Sequence, residues 1–317
     1  MGAAYQRGFL LYEHRRYEMA AAEFRRELQS SPDDGRTMAM LALSLLNQSQ
    51  HAAAEAQARQ AIAAAPTLGF AHYVLASILV RLPSDLQRRQ WWRFELRRRR
   101  QYRYGTLLTY ARVHSVESVR LEPMNCDFIA LLAAIELDLG KTDAALALAE
   151  RSLSHNPSHA RSANVRSIAL RKQMRDEEAR QTLDRALASN PENPHTHFHQ
   201  GWTELYAGNG EAALNHFNES LRLDPSNQRA VVGRGHALQL MNPARRPWKR
   251  MQLWMDRVMG PAWLVRIIMV LVISRGLLQS GTVGIVIYVA LAMVLLFLIP
   301  VVHVVATKRR VRRSRRT

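Results

Sequence analysis

His195, His197 and His199 are the first residues in this 317-residue chain whose types and spacing could do chemistry. On a helix His195 and His199 share a face, as two metal ligands four apart would. The zinc-hydrolase pattern would also need a Glu beside the first His and a third ligand further on, and the sequence supplies neither. Cys126 is the sole cysteine, so a disulfide framework and a cysteine-based zinc site are both excluded. No phosphate-binding glycine loop, dinucleotide glycine pattern or serine elbow occurs. The expectation is a chain without catalysis, cofactor or bound metal, in which the three histidines open a helix and Cys126 packs.

The second chemistry-bearing feature is electrostatic. Lys and Arg number 44 against 26 Asp and Glu, a formal +18. Residues 81–104 account for +7, 243–257 for +4 and 308–317 for +7, so the rest of the chain is neutral. A uniformly basic nucleic-acid-binding domain does not distribute charge this way. Arg88, Arg89, Arg93, Arg97, Arg98, Arg99, Arg100 and Arg103 alternate with Trp and Tyr over 81–105. Such a patch could meet phosphates and stack on bases, or lie on an anionic lipid surface. The plainer reading is a solvated helix pair, and Pro83-Ser84-Asp85 reads as a helix start with Ser84 as N-cap.

The elements that must position these residues are set by a period. Pro32 and Pro66 are 34 apart; Pro123, Pro157, Pro191 and Pro225 follow at 57, 34, 34 and 34. Ala20, Ala54, Ala111, Ala145, Ala179 and Ala213 keep the same beat, as do Gly8, Ala42, Ala76, Ala133, Ser167, Gly201 and Gly235. Each series shows one long step, which places a 23-residue insertion within the third unit. Inside each period the apolar residues recur at three and four, a helical spacing, on either side of a polar or Gly turn. Each period is therefore two helices, with small residues where their backbones approach. Such units stack into an all-α solenoid.

The pattern resembles the tetratricopeptide repeat family. Gly201, Ala213, Phe217 and Pro225 match it in the sixth unit, and Gly8, Tyr17, Ala20, Phe24 and Pro32 in the first. Ala58, Ser115 and Ala149 replace the usual aromatic of the second helix. The resemblance implies six repeats plus a capping helix over residues 1–241, with the insertion at 83–104. It also implies a binding groove lined by the first helix of each repeat. Carried over position by position, that groove holds Tyr5, Phe9, Tyr12 and Arg36, then Phe70, Tyr73, Arg161, Asn164, Arg171 and Lys172. His195, Phe198, Trp202, Tyr206 and Arg229 complete it. Aromatic and cationic positions together suit an extended peptide with apolar and acidic side chains. The chaperone-tail clamp of some family members is not reproduced, because Tyr5 and Phe9 stand at its first positions.

Beyond residue 241 the composition changes. Residues 242–257 read as a basic juxtamembrane linker. The 25 residues 282–306 contain no Asp, Glu, Lys or Arg and are long enough to span a bilayer. A weaker apolar stretch, about 258–278, is interrupted by Arg266. Two spans make a hairpin that leaves both the linker and the basic tail 307–317 on the cytoplasmic side, as the positive-inside rule favours. Trp248, Trp254 and Trp263 fit interfacial anchoring. The N-terminus lacks the regions of a secretory signal. The expectation is a scaffold on a bacterial inner membrane that recruits a protein or peptide partner and touches membrane lipid. The alternative is an anionic-lipid- or nucleic-acid-binding protein working through 81–105, with nucleic acid the less favoured ligand.

Overall fold

The computed structural model describes residues 2–89, 95–244 and 246–259, and their side chains outside 82–104 and 256–259. The described residues form fourteen α-helices and no strand. Six hairpins come first: α1 (Ala3–Glu13) with α2 (Tyr17–Ser30), α3 (Gly35–Asn47) with α4 (His51–Ala64), and α5 (Gly69–Arg89) with α6 (Glu95–Leu121). They continue with α7 (Cys126–Asp138) and α8 (Thr142–His155), α9 (Ala160–Lys172) and α10 (Asp176–Ser189), then α11 (Pro194–Ala207) and α12 (Gly210–Leu223). Two single helices follow, α13 (Gln228–Met241) and α14 (Arg246–Met259). The chain divides into two compact units, residues 1–166 and 167–317.

One backbone device turns five of the six hairpins. Arg15, Ser49, Gly140, Met174 and Gly208 all have positive φ, between 59° and 89°, at the same place in the repeat. The residue after each donates its N–H five residues back, as Arg16 does to Leu11 and Asn209 to Glu204, both at 2.9 Å. This left-handed cap satisfies carbonyls that a helix end otherwise leaves open. Pro83 occupies the equivalent position in the third repeat, and its ring fixes φ near −65°. The left-handed turn is thereby forbidden, and α5 runs on through Pro83 to Arg89. The expected new helix start at Ser84 is accordingly not observed: the insertion lengthens α5 to 21 residues and α6 to 27.

Side-chain caps mark the other end of the repeat. Asp34, Asn125 and Asn193 each accept an N–H from two residues on, at 3.0–3.1 Å. The first helices α3, α7 and α11 start there because those short polar side chains replace the missing carbonyls.

Within each unit, packing follows the small residues. Ala20, Ala54, Ala111 and Ala145 in the first unit, and Ala179 and Ala213 in the second, are all 0% exposed. Phe24 is buried against Gly8, and Phe217 lies between Gly201 and Gly233. Two ion pairs recur with the period. Arg112 of α6 meets buried Glu136 of α7, and Arg180 of α10 meets buried Glu204 of α11 at 2.6 and 3.0 Å. In each case a second helix is fastened to the first helix of the next repeat.

Residues 242–257, read above as a linker, mostly form α14, which packs on α13 and puts Leu253 into the second unit's core. The apolar stretches 258–278 and 282–306 and the tail lie outside the described residues beyond Met259. Among the described residues no helix is long and apolar enough to cross a membrane.

A pair of glycines two residues apart tests this packing. A Cβ at Gly233 would collide with the Phe217 ring, whereas at Gly235 nothing lies within 4 Å. Gly235→Ala should stabilise the chain by about 0.5–1 kcal/mol through helix propensity. Gly233→Ala should instead destabilise it by about 1–3 kcal/mol through overpacking. Denaturant unfolding of the two variants reads the opposite signs, and equal shifts would contradict the packing.

Candidate partner-binding faces on the first helices

In the first unit α1 touches α3, α3 touches α5 and α5 touches α7, and in the second unit α11 touches α13. Within each unit the first helices thus lie against one another, and some of the expected groove residues also touch the second helix of their own hairpin, as Tyr5 touches Phe24 and Trp202 touches Phe217.

The structure gathers several of these in the first unit. The Tyr73 ring stacks on Phe128 at 4.9 Å between centroids, with Phe70 at 6.2 Å. Arg161 donates from Nη1 to the Tyr73 hydroxyl at 2.8 Å, and its guanidinium carbon stands 5.9 Å from the ring centroid. Three helices, α5, α7 and α9, thereby build one aromatic–cation cluster. Sequence reasoning missed Phe128. Phe128 is 3% exposed and backs the Tyr73 ring from the core side; in a mostly apolar helix only the ring contact singles it out. The neighbouring Asp127 carboxyl is held below the usual range by its hydrogen bond with His159, and secondarily by the charges of His159 and Arg161.

Tyr12 behaves differently. Its hydroxyl accepts from Asn47 Nδ2, whose amide oxygen accepts from Arg81 Nη1, each at 3.0 Å, so a polar chain crosses α1, α3 and α5. Tyr5 packs on Phe24 at 5.7 Å, and burial raises its phenol while Arg36 pulls it back. Phe9, 42% exposed, and Arg36 are open to solvent. Asn164 is buried and belongs to the interior instead of the open face.

In the second unit Phe198, Trp202 and Tyr206 follow one face of α11. Trp202 stands 5.8 Å from Tyr206, Phe217 and His236 alike, so its ring is half core and half surface. The Arg171 guanidinium lies 5.8 Å from the Tyr206 centroid, inside cation–π range. The His199 imidazole is pushed down to about 3 by burial first, then by the charges of Arg171, His195 and Arg229. That response registers a cationic neighbourhood. With exposed Lys172, His195 and Arg229, this face offers aromatic surface beneath positive charge.

The histidines outside that face form a repeated pair. His72 and His114 meet Nδ1 to Nδ1 at 3.1 Å, and His197 and His216, at the same repeat positions, do so at 3.1 Å. His72 Nε2 donates to the Pro66 carbonyl and His197 Nε2 to that of Pro191, which fixes both tautomers. His197 is therefore a packing residue, and His195 is exposed with no carboxylate or thiolate completing a metal set. Among the described residues no group of three metal-ligating side chains occurs. Cys126 opens α7 half-buried, its Sγ 3.5 Å from the Ser152 carbonyl oxygen. The basic patch Arg88 to Arg103 lies outside the described side chains.

Residues 5–69 and 131–194 match the tetratricopeptide repeat family model. No curated protein matches the chain. Among solved structures, the Cut9–Hcn1 hetero-tetramer of the APC/C is similar with a TM-score of 0.58 and 15% identity, over 74% of this chain and 42% of that one. PilF of Pseudomonas aeruginosa gives 0.51 and 18%, over 73% of this chain and 94% of that one. A thermophilic repeat protein of Thermus thermophilus gives 0.46 and 19%, over 74% and 97%. The fold is a tetratricopeptide-repeat solenoid, and the matched stretches are tetratricopeptide repeats. Proteins built this way are generally protein–protein interaction scaffolds.

Histidine burial gives a testable pH dependence. His114 and His216 are lowered by burial first and by their partner imidazoles second, and His199 is lowered furthest. The unfolded chain therefore binds these protons more readily than the folded one. Stability is fully present above about pH 6.5 and declines as pH falls from there toward the folded values. Thermal unfolding should be flat from about pH 8 to 7 and fall between about 6.5 and 5, above the carboxylate range. His199→Phe should flatten part of that slope, and a pH-independent midpoint would contradict the burial.

Proposed function

We propose that this protein is a non-enzymatic, membrane-anchored tetratricopeptide-repeat scaffold. Its first-helix faces recruit an acidic, aromatic-tolerant protein segment to the cytoplasmic face of a bacterial inner membrane. The observation that carries the partner-binding part is the pairing of cation with aromatic ring in both units, Arg161 on Tyr73 and Arg171 on Tyr206. A guanidinium over a ring can turn to a carboxylate while the ring accepts apolar side chains. The anchoring part is supported by the uncharged residues 282–306 and the basic blocks on either side of the apolar region.

Capture of a partner from solubilised membranes tests the recruitment. Lys172→Glu with Arg229→Glu should lose it by about tenfold or more, since both side chains are exposed and α9 and α13 keep their packing. Deleting 83–104 should leave capture intact. The reverse pattern, with affinity falling log-linearly in salt, would instead support the Arg/aromatic insertion as a phosphate-binding device.

Topology needs a separate measurement. A cysteine added after Thr317, with Cys126→Ser, should resist impermeant labelling in intact cells, because a hairpin returns the tail to the cytoplasm. Labelling from outside would show a single crossing.

A further inference from the structure

Helix α14 carries an apolar face that nothing else in the described structure covers. Leu253 enters the second unit's core. Lys249 is buried beside it, donating from Nζ to His236 Nδ1 and, at 3.1 Å, to Gln252 Oε1. These contacts fix the rotation of α14 about its axis. They leave Trp248, Met251 and Trp254 outward at 58%, 43% and 47% exposure, three residues apart along one stripe. Arg246 and Arg250 flank that stripe and are also exposed.

We infer that α14 lies in the headgroup region of an anionic bilayer, with Trp248, Met251 and Trp254 turned into the lipid. Three features select lipid over a protein occupant. Indole rings prefer the membrane–water interface, where an apolar body and a polar N–H are both satisfied. Residues 243–257 carry five basic groups against one acid, complementary to anionic headgroups. The chain also continues from Met259 into an apolar region ending in 25 uncharged residues, so a bilayer is within reach of the helix. Because Lys249 and Leu253 hold α14 on α13, the bilayer would set the orientation of the second unit's end, not just its distance. This placement rests on the membrane-attached reading above only for the presence of a bilayer; α14's own residues carry the rest.

The test uses the full chain in vesicles of phosphatidylglycerol and phosphatidylcholine, with Cys126→Ser and a bimane label on Met251→Cys or Arg246→Cys. The label at 251 should be quenched by doxyl lipids and be at least about threefold less accessible to iodide than the label at 246. Alkaline carbonate extraction is run on the same vesicles. Protein that resists carbonate while 251 is as iodide-accessible as 246 overturns the α14 placement and leaves the anchor standing. Protein stripped by carbonate whose label at 251 was shielded by lipid beforehand supports α14 and removes the spanning reading. Failure to join the vesicles at all overturns both. Shielding of 251 that follows protein concentration and ignores lipid identifies a second copy as the occupant, and also overturns the placement.

Discussion

Close approach of two helix backbones within each repeat is the constraint on which the rest depends. It is enforced by an alanine of the second helix, at 0% exposure in all six repeats. A longer side chain there would separate the helices and lift the aromatic rings of the first and sixth repeats from their glycine seats. With the hairpin closed, the left-handed turn residue and its five-back hydrogen bond are positioned automatically. Where that turn cannot form, at Pro83, the same hairpin still closes lower down, between Ala76 and Ala111, and the extra chain projects as longer helices. The insertion is tolerated because it enters at the turn and leaves the packed alanine untouched.

Polar residues then join one hairpin to the next. The pairs Arg112–Glu136 and Arg180–Glu204 occupy the same repeat positions 68 residues apart. Removing either arginine would leave a buried carboxylate with only its second partner, Lys141 at 3.6 Å from Glu136 or Asn209 Nδ2 at 2.7 Å from Glu204, a loss larger than the pair's net contribution. At the equivalent repeat positions in between, the sequence has Leu146 and Leu170 instead. With junctions closed on the second-helix side, the open faces of the first helices are left to aromatic and cationic side chains.

Much of this was legible in the sequence, because the period repeats often enough to expose every fixed position. The hairpins, the insertion's location and the capping helix follow from the Pro, Ala and Gly series. Tyr73, Arg161, Arg171 and Tyr206 share a face by register alone, and the structure brings them into two cation–ring pairs. What register cannot give is how far a side chain on that face sinks into the core. Asn164 is buried, and Trp202 shares its ring between core and surface, because neighbouring helices supply the walls. Helix α14 was hidden by composition: five basic residues made a linker of a segment whose Leu253 and Lys249 dock. Its spacing of Trp248, Met251 and Trp254 was visible, but the exposed side of a helix shows only once the docked side is known.

Site-specific photocrosslinking in intact cells tests the account most directly. A photoreactive phenylalanine is placed at Phe9, Lys172 or Arg229 on first helices and α13, and at Arg26 or Arg185 on exposed second-helix faces. A discrete protein adduct is expected from the first set and none from the second. Adducts confined to Arg26 and Arg185 would contradict that expectation.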